Sequence, residues 1–193
     1  PEEVAAALAL GQMTALLKND DGTVRGIVAG NTLRRVVARA LTRQFAEAIT
    51  DATAPYQFAL TTRAGTEALS LAWKFLTDAD PGAVVLSIDG IGAFDHVRRD
   101  AILAKLDSTP ALRQLAPLVR QLYGRQSIFL WSDDDGSVHD IRQGEGGEQG
   151  DPLMPALFAL GLHGALVSAR ARLQDDEFLF AYLDDLYVVT TRD

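Results

Sequence analysis

Three aspartates pose the first chemical question. The stretch AYLDDLYVVT (181–190) reads as a β-strand interrupted at its middle by Asp184 and Asp185, and AVVLSI (83–88) ends abruptly in Asp89. That second run is almost uninterrupted in its apolar character, which is how a strand buried on both faces reads. Charges in such places are costly unless paired, protonated or bound to metal, and no lysine or arginine stands beside either cluster at strand spacing. If Asp89 and Asp184 came from neighbouring strands, their oxygens would converge and repel. A divalent cation would turn that repulsion into a site, and hard oxygen ligands favour Mg²⁺ or Mn²⁺. Successive side chains on a strand point to opposite faces, so a regular strand cannot aim Asp184 and Asp185 at one ion, whereas a turn comes closer. Asp184 is therefore expected as the main ligand and Asp185 as a weaker or second-ion ligand. Ordinary turn chemistry also explains an Asp pair in a hairpin, and it fully explains Asp133, Asp134 and Asp135 before Gly136.

The elements that must position these acids follow from the pattern along the chain. Residues 2–18 (EEVAAALALGQMTALLK) read as a helix with acids in the first turn and Lys18 in the last. A turn and a short strand around Val24–Val28 come next. Asn31 or Thr32 can cap a helix whose Leu33, Val36, Val37, Ala40 and Leu41 recur at helical spacing, which leaves Arg34, Arg35, Arg39 and Arg43 largely to solvent. Another helix is predicted after Thr62, two more across 97–124 with Pro110 at a helix start, and a hairpin across 127–144 turning at Asp135-Gly136. The glycine-rich QGEGGEQGDPL enters a long apolar helix, with Asp151 expected as its N-cap and Pro152 at the first helical position. Strands alternate irregularly with helices, so the expected class is α+β.

Composition narrows the function classes. At 193 residues and 48% hydrophobic, the chain supports one domain with a core or a large piece of a bigger protein. Because it begins with Pro1 and stops at Asp193 after a strand-like run, a segment of a longer protein is expected. Secretion and membrane insertion are not expected, since no apolar run approaches the roughly 20 residues a spanning helix needs. The lack of cysteine excludes disulfides and thiolate metal sites, so any metal takes oxygen or histidine ligands. A net charge of −8 weighs against phosphate-backbone binding as the dominant property, although acids gathered at a cation site would offset that average.

Taken in order, SIDGIGAFD (87–95), GEQGDPL (147–153) and AYLDD (181–185) resemble the palm motifs of reverse transcriptases, with the closest look to non-LTR retrotransposons and related retroelements. VRGIVAGNTLRRVVARAL (24–41) is similar to the fingers segment of that family, and the likeness covers nearly the whole chain. The resemblance implies a right-hand polymerase, with fingers and connecting helices over 1–80 and the palm over 81–193, incomplete at its C-terminus and without a thumb. It implies RNA-directed DNA synthesis by two-metal catalysis with Mg²⁺ or Mn²⁺, in which Asp89 and Asp184 bridge the ions and Asp185 assists. Phe94 looks like the aromatic side chain that clashes with a ribose 2′-hydroxyl. Gln149 and Gly150 match the loop against the incoming nucleotide, and Arg25 the fingers arginine that meets the triphosphate, with Lys18 a weaker match. The implied partners are an RNA template, a DNA primer, dNTPs and the remaining parts of a parent polyprotein, a thumb and an endonuclease among them. An intracellular location is expected, the nucleus for a eukaryotic element.

Departures from the family pattern are Gly90 and Gly92 in the first motif and Gly26 in the fingers. Without a thumb the chain by itself is expected to be weakly active or inactive. Three alternatives stay open: a catalytically inactive retroelement remnant, an RNA-dependent RNA polymerase, and a Mg²⁺-dependent phosphohydrolase. The last generally needs a second acid two residues after the first, where this chain has Ile91.

Overall fold

A computed structural model describes residues 7–20, 22–60 and 62–191. In chain order its elements are β1 (Gly11–Leu17), β2 (Val24–Gly30), α1 (Thr32–Gln44), α2 (Ala46–Thr53), α3 (Gly65–Ala79), β3 (Ala83–Asp89), α4 (Ala93–His96), α5 (Arg99–Ser108), a 3₁₀ turn (Pro110–Leu115), α6 (Ala116–Tyr123), β4 (Ser127–Ser132), β5 (Val138–Gln143), α7 (Met154–Arg170), β6 (Phe178–Tyr182) and β7 (Asp185–Thr191). They form an α+β fold with two sheets, ordered β2-β1-β4-β5 and β3-β7-β6. The first sheet draws strands from both sides of residue 80, so its layer does not divide there. Among the described residues no helix is long and apolar enough to cross a membrane.

Helix α7 is the centre of the core. Leu157 and Leu160 are fully buried and pack with Ile102 and Leu106 of α5, Leu112 and Leu115 of the 3₁₀ turn, and Val119 of α6. A helix apolar on nearly every side is one enclosed by others, as its sequence implies. Its C-terminal half turns Leu166 toward Leu179 and Ala181 of β6, with Leu186 and Val188 of β7 on the same face. The core helix thus supports the sheet that carries the aspartates.

Several expectations are corrected. Residues 2–6 of the predicted first helix lie outside the described residues, 7–9 are helical, and 11–17 form β1. Seven consecutive cross-strand pairs with β2, from Gly11↔Gly30 to Leu17↔Val24, outweigh the local helical preference of this stretch. Among the described residues strand β3 is an edge strand paired only with β7, and Leu86 and Ile88 are about half exposed, so the apolar run does not mark burial on both faces. In α1 the expected faces are partly exchanged: Leu33, Val36 and Val37 are exposed while Arg34 and Ala38 are buried, whereas Leu41 packs on the core and Arg35, Arg39 and Arg43 are exposed as expected. Asn31 does cap α1, its Oδ1 accepting from the Arg34 N–H at 2.9 Å.

The buried Arg34 explains the exchange. Its Nη1 donates to Glu148 Oε1 (3.0 Å), and its Nη2 donates to Asp151 Oδ2 (2.9 Å) and the Tyr123 hydroxyl (3.0 Å). The Tyr123 hydroxyl in turn donates to Asp151 Oδ2 at 2.6 Å. Nη2 also lies 2.9 Å from Glu148 Oε2, which gets a charge contact but no aligned hydrogen bond. With two N–H groups and three acceptors around it, Nη2 cannot satisfy all of them. Asp151 is therefore not simply the predicted N-cap: its Oδ1 accepts from the Leu153 N–H (2.9 Å), its Oδ2 serves the cluster, and α7 begins at Met154. Replacing Arg34 by methionine would strand two buried carboxylates; we expect a loss of about 3–5 kcal/mol in urea unfolding. Arg35→Met, at an exposed position of the same helix, is expected to stay within about 0.5 kcal/mol.

Candidate active site

Strands β6 and β7 are joined by two residues, Leu183 and Asp184, with Tyr182 paired to Asp185. Leu183 has a left-handed backbone (φ 55°), and only one of the two turn residues lies there, as in hairpin turns that normally place glycine first. For a bulky residue this conformation costs about 1–3 kcal/mol. The Leu183 side chain packs against the main core, which accounts for a leucine where glycine would be unstrained.

This hairpin sets the carboxylates. Asp185 lies directly opposite Asp89 in the antiparallel β3–β7 ladder, so the two side chains share a face, and Asp184 sits in the turn beside them. Partial burial, followed by the charges of Asp184 and Asp89, raises the Asp185 carboxyl above its ordinary range. The same face continues to Tyr187, whose hydroxyl is raised by burial and then by Asp185 and Asp89. Asp89 and Asp185 are exposed and Asp184 half-buried, so water still reaches the crowded carboxylates. Among the described residues no three His, Cys, Asp or Glu side chains form a group able to hold an ion as they are oriented. The donor set is nonetheless all carboxylate oxygen with its charges coupled, which is the chemistry a hard divalent cation requires.

Phe94 on α4 stacks on Phe158 of α7, ring centroids 4.4 Å apart and planes at 12°. The loop bearing Gln149 and Gly150 is stitched to the same segment: the Gly146 N–H donates to Val97 O (2.9 Å) and the Gly147 N–H to Phe94 O (2.8 Å). Gly146 is left-handed (φ 67°), and a Cβ there would stand 2.1 Å from Asp95 O, so no other residue fits. Gly150 is excluded from change for another reason, since its Cβ would stand 2.2 Å from Val28 O of β2. Its missing side chain lets the loop touch the first sheet. A groove of about 690 Å³ lies between that sheet and the loop, with Val28, Phe129 and Trp131 on one side and Asp95, His96 and Gln149 on the other.

The remaining predicted residues are not gathered there. Val24, Gly26 and Val28 line the groove, so Arg25 projects from the other face of β2. Lys18 is exposed at the end of the β1–β2 hairpin. Four residues that sequence reasoning missed do hold the site together: Gln57, Tyr123, Glu148 and Arg99, whose Nε donates to Gly146 O (2.7 Å) and whose Nη2 donates to the Ser127 hydroxyl (3.0 Å). No short-range pattern marks them, because each acts on a partner far along the chain.

Burial pushes the Glu148 carboxyl up to about 6 despite the opposing pull of Arg34. The folded state thus holds this proton more tightly than the unfolded chain, so the stabilisation from Glu148 is complete below about pH 4.5 and lost as pH rises through about 6. We expect Glu148→Gln to remove that dependence, shrinking the change in unfolding free energy between these limits by about 2 kcal/mol in urea titrations at a series of pH values. An unchanged pH profile would show that Glu148 titrates normally.

The family model for reverse transcriptase (RNA-dependent DNA polymerase) matches residues 16–193. No curated protein sequence matches the chain. Among solved structures, telomerase from Candida albicans in complex with a fragment of telomeric RNA is 12% identical with a TM-score of 0.68, over 100% of this chain and 39% of that one. Apo telomerase from Candida tropicalis truncated from its C-terminal domain is 10% identical with a TM-score of 0.64, over 96% of this chain and 44% of that one. The chain therefore spans less than half the length of these structures, and at such identity they show the shared fold alone. By the family match over nearly its whole length, the chain belongs to the reverse transcriptase (RNA-dependent DNA polymerase) family.

Proposed function

We propose that this chain is the fingers and palm of an RNA-directed DNA polymerase of retroelement type, extending a DNA primer with dNTPs on an RNA template. The observation that carries the reading is the register of Asp89 against Asp185, with Asp184 in the adjoining turn and the glycine-rich loop fixed to the first motif through Phe94 and Val97. In the reaction the primer 3′-oxygen bonds to the α-phosphorus as the bond to pyrophosphate breaks, and the hydroxyl proton leaves to solvent. Two divalent cations, Mg²⁺ or Mn²⁺, supply the charge neutralisation such a transfer needs when bound. Asp89 and Asp184 would hold them, with Asp185 assisting.

The chain's own side chains then divide the remaining work. Phe94, braced by Phe158, is the proposed barrier to a ribose 2′-hydroxyl, and bracing matters because a barrier that yields discriminates nothing. Gln149 borders the groove in which an incoming nucleotide or template base would lie. Arg25 and Lys18 would reach a triphosphate only after the β1–β2 hairpin closes over it. Template, primer and thumb would come together in a longer protein, and a eukaryotic element would work in the nucleus.

Primer extension on an RNA template with this 193-residue chain is expected to be weak, dependent on Mg²⁺ or Mn²⁺, and reduced about 100-fold or more by Asp89→Asn or Asp184→Asn. Equal rates in the variants would overturn the catalytic assignment. Phe94→Ala is expected to lower the preference for dNTP over rNTP by about tenfold or more in the same assay. Unchanged preference would remove Phe94 from that role while leaving the polymerase reading intact.

A further inference from the structure

The turn that carries Asp184 is gripped by a side chain more than a hundred residues away. We propose that Gln57 is a positioning residue for the catalytic carboxylates: its carboxamide fixes the backbone of Leu183, and so aims Asp184 and fixes where Asp185 begins its strand opposite Asp89. The proposal rests on the polymerase reading above, whose reacting groups it arranges.

Both ends of the carboxamide are engaged on one residue. Gln57 Nε2 donates to Leu183 O (3.2 Å), and the Leu183 N–H donates to Gln57 Oε1 (3.0 Å). Gln57 is itself buried and anchored. The Phe58 N–H donates to Ala181 O (2.9 Å) and the Ala181 N–H to Tyr56 O (2.8 Å), so 56–58 runs parallel to β6 with Gln57 level with Ala181. From that fixed point the side chain reaches two residues further, to the turn. The backbone there has reason to need holding, since Leu183 is left-handed at φ 55° and leucine does not favour that region. Relaxation of φ to negative values would rotate the following peptide and swing the Asp184 carboxylate away from Asp89. Packing of the Leu183 side chain in the core fixes where the residue sits but not which way its peptides face; the paired hydrogen bonds fix the latter.

A test independent of any metal uses amide hydrogen exchange on the 193-residue chain. The first central N–H of a two-residue hairpin ordinarily points to water, so protection of Leu183 comparable to the flanking strand amides is the expected result, and exchange as fast as in an open turn would overturn the clamp. Gln57→Met keeps the volume and removes the hydrogen bonds. It is expected to speed Leu183 exchange about tenfold or more without changing that of Leu157 in the core, and to weaken Mn²⁺ binding, read by electron paramagnetic resonance, by about fivefold or more. Unchanged Mn²⁺ affinity in Gln57→Met, where Asp184→Asn weakens it, would overturn the proposal and leave the metal reading standing. Unchanged affinity in both variants would overturn the metal reading and this proposal with it. A uniform rise in exchange that includes Leu157 would show Gln57 to be a general stabilising residue and overturn the positioning role.

Discussion

Taking the Arg34 guanidinium out of water costs several kcal/mol, and the fold offsets this only by bringing to it groups from distant parts of the chain. Burial alone would lower its pKa. The neighbouring Tyr123, Glu148 and Asp151 reverse that and hold the charge firmly in place. A well-packed apolar substitute for such a cluster is often as stable, so stability by itself does not explain why it is built from ions. What the cluster does is set a register. It ties helix α1, which follows directly from β2, to the loop that bears Gln149 and to the end of α6. A shift of α1 by one residue would take the guanidinium about 100° around the helix axis, away from all three partners.

With that loop held at one end, its other contacts acquire fixed meaning. Gly150 abuts Val28 of the first sheet, while Gly146 abuts Asp95 beside Phe94. Arg99 repeats the device on a smaller scale, binding Gly146 O, Arg125 O and the Ser127 hydroxyl, and so joins the loop to β4. Both guanidinium groups lie near the Tyr123 ring, at 5.5 and 5.4 Å from its centroid. One tyrosine thus stands between the two cations that hold the loop. Packing of α7 joins the loop's exit, in the main core, to the sheet of the aspartates at its other end.

Features that depend on near neighbours were legible in the sequence. The Asn31 cap, the helix after Thr62, the hairpin turning at Asp135-Gly136, the apolar α7 and the order of the acid-bearing motifs each follow from residues within a few positions of one another. Features decided by distant partners were not. β1 carries a helix-like pattern and becomes a strand because β2 pairs with it along its full length. Arg34 looked like one solvated arginine among four, since its partners stand 114 and 117 positions away. Whether an apolar strand such as β3 is central or at an edge is likewise a matter of what pairs beside it, and nothing in AVVLSI records that.

The puzzle of two adjacent aspartates in a strand has a geometric answer. Side-chain alternation forbids Asp184 and Asp185 from sharing a face only if both are in the strand, and just one is: Asp185 is the first paired residue of β7, while Asp184 belongs to the turn. The two-residue connection thereby brings both to one end of the sheet, where Asp89 finishes the neighbouring strand. The arrangement works against folding, because three negative charges and a strained leucine are concentrated at one hairpin. Asp185 bears the result, its carboxyl raised above the ordinary range by partial burial first and then by the charges of Asp184 and Asp89. Strain and like charge are thus collected at one end of this sheet, whereas the buried carboxylates Glu148 and Asp151 both face the Arg34 guanidinium.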